Sequence, residues 1–360
     1  MKLIAHNDGS EMRGNERQLL LLGSALRARG HDLLISCRPA SPLETELVRR
    51  GMRSTRVRPR GDLDLWNALR FAWLLRRERP DAVILTSWKR VLPAAWAARR
   101  AGVPRVVVRL GLARELPQRR SAAWKLKRAF THYVDALIVN SREVADRWLQ
   151  SAPWFPAARL HIVLNGVQPV RASGQAFHAL LGLPEDIVII AGVGGLEHRK
   201  GWDTLLRAMR LLPQNVHAAI AGAGPDDYAL RSFAAGLGVD QRVHWLGFRR
   251  DVPDLLSASK VFVLPSRQEG MAVAMLEAMS AGVPVVATAG SGTEEALSAR
   301  QGRPAAGWIV PMDEPAALAA AVSSAIADRS DRTVEARWRA EHWFSIDRMA
   351  ADYERVLFGS

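Results

Sequence analysis

Twelve short runs rich in β-branched residues constrain this chain more than any other feature. KLIAH, DLLISC, DAVILTS, RVVVRLG, DALIVNS and HIVLNG form a first series; IVIIAGVGG, VHAAIAGAG, RVHWLGF, KVFVLPS, VPVVATAG and GWIVP form a second. Apolar runs of this length without polar alternation read as strands buried on both faces. Helix-length segments between them, such as NERQLLLLGSALRARG, supply the crossovers that a parallel sheet needs. Between the two series, VQPVRASGQAFHALLGLPED loses both periods. The pattern predicts an α/β protein with two doubly wound domains, over residues 1–167 and 186–338, joined by a linker at 168–185. Residues 339–360 are expected to form a C-terminal helix that packs back on the first domain.

Composition narrows the function classes. The net charge of +14 is concentrated in residues 1–170, which hold 31 Lys and Arg against 14 Asp and Glu; beyond them the count is 19 against 22. Such asymmetry suits an anionic partner, whether a phosphorylated substrate or a phospholipid surface. Zinc-ligand pairs and aromatic RNA-binding strands are absent from the sequence, so nucleic acid is not the expected partner. No run reaches the roughly 18 apolar residues of a membrane span, and MKLIAHNDGSE lacks the pattern of a signal peptide, so a cytoplasmic location is expected. The single cysteine, Cys37, has no partner for a disulfide or a thiolate metal site and is expected in the core.

In open parallel sheets ligands bind beyond the carboxyl ends of the strands, so the residues after each strand are the first candidates. SRQEGMAVAMLEAMSAGVPVVAT follows one strand and carries Glu269 in the loop and Glu277 in the next helix. Eight helical residues at ~1.5 Å each would put the two carboxylates roughly 12 Å apart, too far to share one proton or metal. They are expected to touch different parts of one extended ligand. A carboxylate can accept from both hydroxyls of a ribose, and the amides of Gly270, Met271 and Ala272 can hold a phosphate. A second candidate is GVGGLEHRKGWDTLLRAM, where Gly192, Gly194 and Gly195 permit a tight turn and Arg199 and Lys200 supply charge at a helix start. A third is Gly14, which precedes the first helix and lets a phosphate approach its amides.

EGMAVAMLEAMSAGVPVVAT, GGLEHRKGWDTLL, RGNERQLLLLGSALRARGHDLL, LNGV, AGAGP and LGFRRDVPDLL together resemble the retaining glycosyltransferases of the group-one, family-four type, with the GT-B fold. The resemblance implies two Rossmann-like domains facing a central cleft, and a UDP- or GDP-sugar held mainly by the second. It makes Glu277 the ribose ligand, Glu269 the carboxylate near the transferred sugar, Lys200 the contact to the diphosphate, and Gly14 the approach from the first domain. It also implies that no cofactor and no metal is needed, because cations and helix dipoles stabilise the departing diphosphate; Asp62 and Asp64 are accordingly not read as a metal site.

The chain departs from the family in places. Gly195 stands where an arginine is frequent, leaving Arg199, Arg249 or Arg267 to replace that contact. Arg109 occupies the region of a frequent loop histidine on the acceptor and sugar side. Competing readings are a nucleotide-sugar-binding protein without catalysis and a GT-B sugar-nucleotide epimerase. The acceptor is expected to be a glycan or lipid-linked sugar of lipopolysaccharide or exported polysaccharide. Arg119, Arg120, Lys125, Lys127 and Arg128, beside Trp124 and Phe130, suit an anionic membrane surface, as does LWNALRFAWLLRRERP, and would make the protein peripheral on the inner face of the cell membrane.

Overall fold

The apolar runs form strands and the intervening segments form helices in a computed structural model. It describes every residue except 59, 62, 113–119, 175–176, 291, 329 and 360, and residues 120–122 in backbone only. Contacts divide the chain into two units, Met1–Gly166 with Ile346–Ser360, and Val167–Ser345.

The first unit begins with β1 (Lys2–His6), α1 (Gly14–Ala28), β2 (Asp32–Cys37), α2 (Pro42–Arg49), β3 (Ser54–Arg56) and α3 (Leu65–Glu78). It continues through β4 (Ala82–Leu85), α4 (Val91–Arg100), β5 (Arg105–Leu110), α5 (Arg120–His132), β6 (Ala136–Val139), α6 (Arg142–Ser151) and β7 (Leu160–Ile162). The second unit holds α7 (Phe177–Leu181), β8 (Val188–Val193), α8 (Trp202–Met209), β9 (Val216–Ala221), α9 (Asp227–Gly236), β10 (Val243–Gly247) and α10 (Val252–Ala258). It ends with β11 (Val261–Leu264), α11 (Val273–Ala281), β12 (Val285–Thr288), α12 (Thr293–Leu297), β13 (Trp308–Val310), α13 (Pro315–Ala327) and α14 (Arg332–His342); α15 (Ile346–Phe358) belongs to the first unit.

Among the described residues, all pairings between these strands are parallel. The first sheet runs β3-β2-β1-β4-β5-β6-β7 and the second β10-β9-β8-β11-β12-β13, so the expected doubly wound class is what the chain adopts. β1 sits between β2 and β4, with Ile4 opposite both Leu34 and Val83, and β8 sits between β9 and β11, with Ile190 opposite both Ala218 and Val261. At each of these two strands the winding reverses, which opens a crevice past the carboxyl ends. β3 escaped the sequence reading because Ser54-Thr55-Arg56 carries no apolar run; its pairing with β2 alone makes it a strand.

The domain boundaries differ from the sequence reading in two places. Residues 168–185 are part of the second unit: Ser173 donates from its backbone amide and its hydroxyl to the buried Asp254, at 2.6 and 2.9 Å, and Gly174 donates to it at 3.0 Å. A carboxylate from another element organises a segment whose own sequence shows no period. Residues 339–345 also stay with the second unit, because Arg339, fully buried, donates to the carbonyls of Ala296 and Ser298 at 2.8 Å each and to Glu335 at 2.7 Å.

The return to the first unit begins at Ile346. There α15 packs on α1, burying Met349, Ala350, Tyr353 and Val356 in the same core as Leu19, Leu22 and Leu26. At its rim Glu354 accepts from Arg29 at 2.8 and 2.7 Å and lies 2.7 Å from His31 Nε2. The Arg29 hydrogen bond is the largest influence holding this carboxyl at about 2 against an ordinary 4.5. A depressed folded value stabilises the docked helix above pH 4.5 and loses that stabilisation as pH falls toward 2. The melting temperature of Glu354→Gln is therefore expected to fall less steeply than wild type between pH 5 and 2.5; equal slopes would show that this carboxylate does not set the acid response.

Candidate active site

At the switch point of the second sheet the chain leaves β8 through Gly194 and Gly195, makes a short 3-10 turn over His198–Lys200, and enters α8. Close backbone crossings hold this turn in place. A Cβ at Gly222 would meet the Gly194 carbonyl oxygen at 1.8 Å, and one at Gly201, where φ is +65°, would meet that of Pro265 at 2.0 Å. Only glycine fits either position. The Trp202 indole donates to the Gly195 carbonyl at 2.9 Å, and the amides of Arg267 and Gln268, after β11, donate to the Arg199 carbonyl at 2.9 and 3.2 Å. The two post-strand loops flanking the crevice are thus joined through their main chains.

This joining brings together residues that are distant in sequence. The buried Lys200 donates to Glu269 Oε1, which also accepts from Ser266 Oγ at 3.1 Å; Arg199 Nη1 lies 4.0 Å from Glu269 Oε2 and Arg199 Nε 2.7 Å from Glu197. A Cβ at Gly194 would stand 3.3 Å from Lys200 Nζ, so the glycine gives the ammonium its room. Two cations and two carboxylates meet where a strand-end ligand would sit, and an arriving anion can take the ammonium and guanidinium over from their glutamates.

α11 begins at Val273, not at Gly270. Gly270, Met271 and Ala272 lead into it, and the N-cap residue Ala272 offers no side-chain oxygen to the amides of Val273, Ala274 and Met275. Those three amides lie at the end of the helix dipole that attracts anions, and Gly270, Met271 and Ala272 lead directly into it. The helical rise applies to only four of the eight steps from Glu269 to Glu277, which is half-buried in the second turn. Gly292, with φ +75°, lets the loop after β12 close on Gly270 and Met271, where a Cβ would lie 2.4 Å from the Gly270 carbonyl oxygen.

The three arginines proposed to replace the missing contact separate clearly. Arg267 binds Asp203 through both nitrogens at 2.8 and 2.7 Å and Asp313 at 2.7 Å, and its hydrogen bond holds the Asp313 carboxyl below its ordinary range. Arg249 grips Asp251 and lies over the Phe177 ring at 5.6 Å. Arg199 alone of the three borders Lys200 and Glu269.

The first unit has its own switch-point cluster, which sequence reading did not single out. Asp8, after β1, accepts from Ser87 Oγ at 2.9 Å and from Arg90 at 2.5 Å, both after β4. Asn7 donates to Thr86 and to Glu16, and Glu16 accepts from the Arg13 amide at 3.1 Å to close the first turn of α1. Their position after strands was the available signal. Burial pushes the pKa of His6, beneath them, below its usual value. Gly14 is the first residue of α1 rather than a residue ahead of it, and it is exposed. Arg109 lies within β5, not in a loop. It is buried and donates to Asn15 beside Gly14 and, at 2.9 Å, to Asn165 past β7. Its guanidinium thus acts on the Gly14 turn, holding the chain there.

Asp64 caps α3, accepting from the Asn67 amide at 2.9 Å, while Asp62 lies outside the described residues. Among the described residues no cluster of three or more His, Cys, Asp or Glu side chains could hold a metal. Of the basic patch on α5, Arg119 and the side chain of Arg120 lie outside the described residues; Lys127 and Arg128 are exposed, and Lys125 is half-exposed.

Two doubly wound parallel sheets, one with a lysine, an arginine and a glutamate gathered at its switch point beside a helix start, define a two-unit Rossmann-type protein equipped to hold an anion. Residues 175–341 match the family described as Glycosyl transferases group 1, and residues 12–171 match Glycosyltransferase Family 4. The chain belongs to these glycosyltransferases and has their GT-B fold. It is 27% identical over 329 residues to the lipopolysaccharide core biosynthesis glycosyltransferase LpsE of Rhizobium meliloti (strain 1021), covering 89% of this chain and 87% of that one. Over 231 residues, 59% of each chain, it is 29% identical to the UDP-Gal:alpha-D-GlcNAc-diphosphoundecaprenol alpha-1,3-galactosyltransferase of Escherichia coli. The crystal structure of Anabaena HepE in complex with UDP-glucose superposes over the whole of both chains with a TM-score of 0.85 at 21% identity.

Proposed function

We propose that this glycosyltransferase moves a hexose from a nucleotide-diphosphate sugar to a glycan or lipid-linked acceptor with retention of anomeric configuration, in the synthesis of lipopolysaccharide or an exported polysaccharide. The observation that carries the reading is the Lys200–Glu269 pair, bordered by Arg199, at the switch point of the second sheet. Breaking the bond from sugar to diphosphate leaves negative charge on the leaving oxygen. A fixed ammonium, a neighbouring guanidinium and the helix-start amides of α11 stabilise that charge without a metal or cofactor. Glu269, bound to the lysine, accepts from hydroxyls of the transferred sugar in this reading. Glu277, in the second turn of α11, accepts from the hydroxyls of the ribose. The names of the relatives support the class of acceptor: LpsE is a lipopolysaccharide core glycosyltransferase and the Escherichia coli relative is named for a diphosphoundecaprenol-linked sugar.

A panel of UDP- and GDP-sugars screened for protection against thermal unfolding tests the donor, since a ligand that binds only the folded state raises the melting temperature. One nucleotide sugar is expected to stand out, and Glu277→Ala is expected to weaken its binding by about 1.5–3 kcal/mol, the range for a hydrogen bond to a charged group. Unchanged affinity by calorimetry would remove Glu277 from the ribose. The anomeric configuration of the product, read by NMR, tests retention: an inverted linkage would overturn it, and an epimerised donor without transfer would favour the epimerase reading.

A further inference from the structure

Glu197 is the one acidic residue of the turn from Gly194 to Gly201, and the reaction as read above gives it no part. Its main chain is pinned on both sides. The amide donates to the Gly195 carbonyl at 3.0 Å, and the carbonyl accepts from the Lys200 amide at 2.8 Å. The carboxylate, 20% exposed, turns to Arg199 and accepts from its Nε at 2.7 Å. Gly195 makes the room: a Cβ there would stand 3.2 Å from Glu197 Oε1, closer than side chains ordinarily pack.

Arg199 is held at its own main chain as well, since its carbonyl accepts from the amides of Arg267 and Gln268. A guanidinium has one Nε–H and four Nη–H donors, and Glu197 takes the Nε–H. Among the described residues the Nη groups of Arg199 form no hydrogen bond. Nη1 lies 4.0 Å from Glu269 Oε2, while Oε1 of the same carboxylate holds Lys200. The Nη fork is therefore turned to the carboxylate that holds the ammonium, with donors left for one more anion. A long side chain free to rotate loses that freedom when it grips a ligand. One anchored at Nε has lost it already.

We infer that Glu197 is a positioning residue, which takes the Nε–H of Arg199 and so holds the Nη fork toward the departing diphosphate beside Lys200. The inference rests on the proposed transfer from a nucleotide-diphosphate sugar, and adds to it a residue that acts only through another. Its test is steady-state kinetics with the nucleotide sugar that gives the largest thermal shift, with the melting temperature of every variant measured alongside. Arg199→Ala is expected to lower kcat about a hundredfold, as for removal of one preorganised donor. Glu197→Ala is expected to lower kcat about tenfold and to change KM for the donor less than about threefold, because the guanidinium remains but must be oriented in the transition state. The double variant is expected to match Arg199→Ala alone, since a group that works through Arg199 then has nothing to act on. Glu197→Gln, whose amide oxygen still accepts from Nε, is expected to bring kcat back to within about threefold of wild type. Melting temperatures should stay within about 2 °C of wild type, because a partly exposed ion pair adds little to stability. Losses that add in the double variant would overturn the inference, as would an undiminished kcat in Glu197→Ala. So would a rise in kcat in both Glu197→Ala and Glu197→Gln, for the carboxylate would then only repel the donor. Lys200→Ala distinguishes this failure from that of the reaction. If Lys200→Ala also leaves kcat untouched, the reading of the site falls and the inference with it; if Lys200→Ala cripples turnover and Glu197→Ala does not, the inference alone falls.

Discussion

Replacing Lys200 by alanine is expected to lower turnover about 10²–10³-fold while the Michaelis constant for the nucleotide sugar changes little. That magnitude is typical for removal of one preorganised group from a developing oxyanion. In the structure the Lys200 ammonium is buried against Gly194 and bound to Glu269, so it needs no rearrangement of its main chain to meet a leaving group. A charge that grows in the transition state draws more from a fixed cation than the ground state does, which places the loss in kcat. Arg199, 4.0 Å from Glu269, limits the damage to binding by remaining beside the same carboxylate. Steady-state kinetics with the donor found by thermal shift would decide it: a defect confined to the Michaelis constant would take Lys200 off the leaving group.

Gly201→Ala is expected to destabilise the second unit by about 3 kcal/mol, a fall of roughly 6–12 °C in its melting temperature, and to abolish measurable transfer. The φ of +65° disfavours any Cβ, and the added methyl would stand 2.0 Å from the Pro265 carbonyl oxygen, an atom of the main chain that cannot swing aside. Relief requires the turn bearing Lys200 to separate from the loop after β11, and that separation takes Lys200 away from Glu269. Gly236→Ala is the control. At the end of α9 a Cβ would meet nothing within 4 Å, so that variant is expected to melt at or slightly above wild type. Equal behaviour of the two variants would show that the close crossing does not hold the turn.

The strand runs and their order were legible in the sequence because a strand buried on both faces of a parallel sheet must be apolar throughout, as DAVILTS and KVFVLPS are. β3 was not legible, since its three residues are polar and only pairing with β2 defines them. The second unit's boundaries were misplaced for the same kind of reason. Nothing local in RASG says that Ser173 and Gly174 will find Asp254, and nothing local at Arg339 says that it will be buried on the carbonyls of Ala296 and Ser298.

For the site, the sequence by itself determined the chemical inventory: Glu269 and Glu277 around an apolar helix, Arg199 and Lys200 after a glycine turn, and Gly14 at the start of the first helix. Position after a strand is a local property, so a linear reading reaches it. Which of these groups meet was decided only by the tertiary structure, because hydrogen bonds between post-strand loops join residues about 70 apart. That is why Lys200 came to face Glu269 and Arg267 was drawn away to Asp203 and Asp313. The same division holds on α3, whose sequence gives aromatic and basic residues all round. Packing of Phe71 against the sheet fixes the helix rotation, and Trp66 and Trp73 are left outside because a single helix cannot turn both aromatic faces into one core.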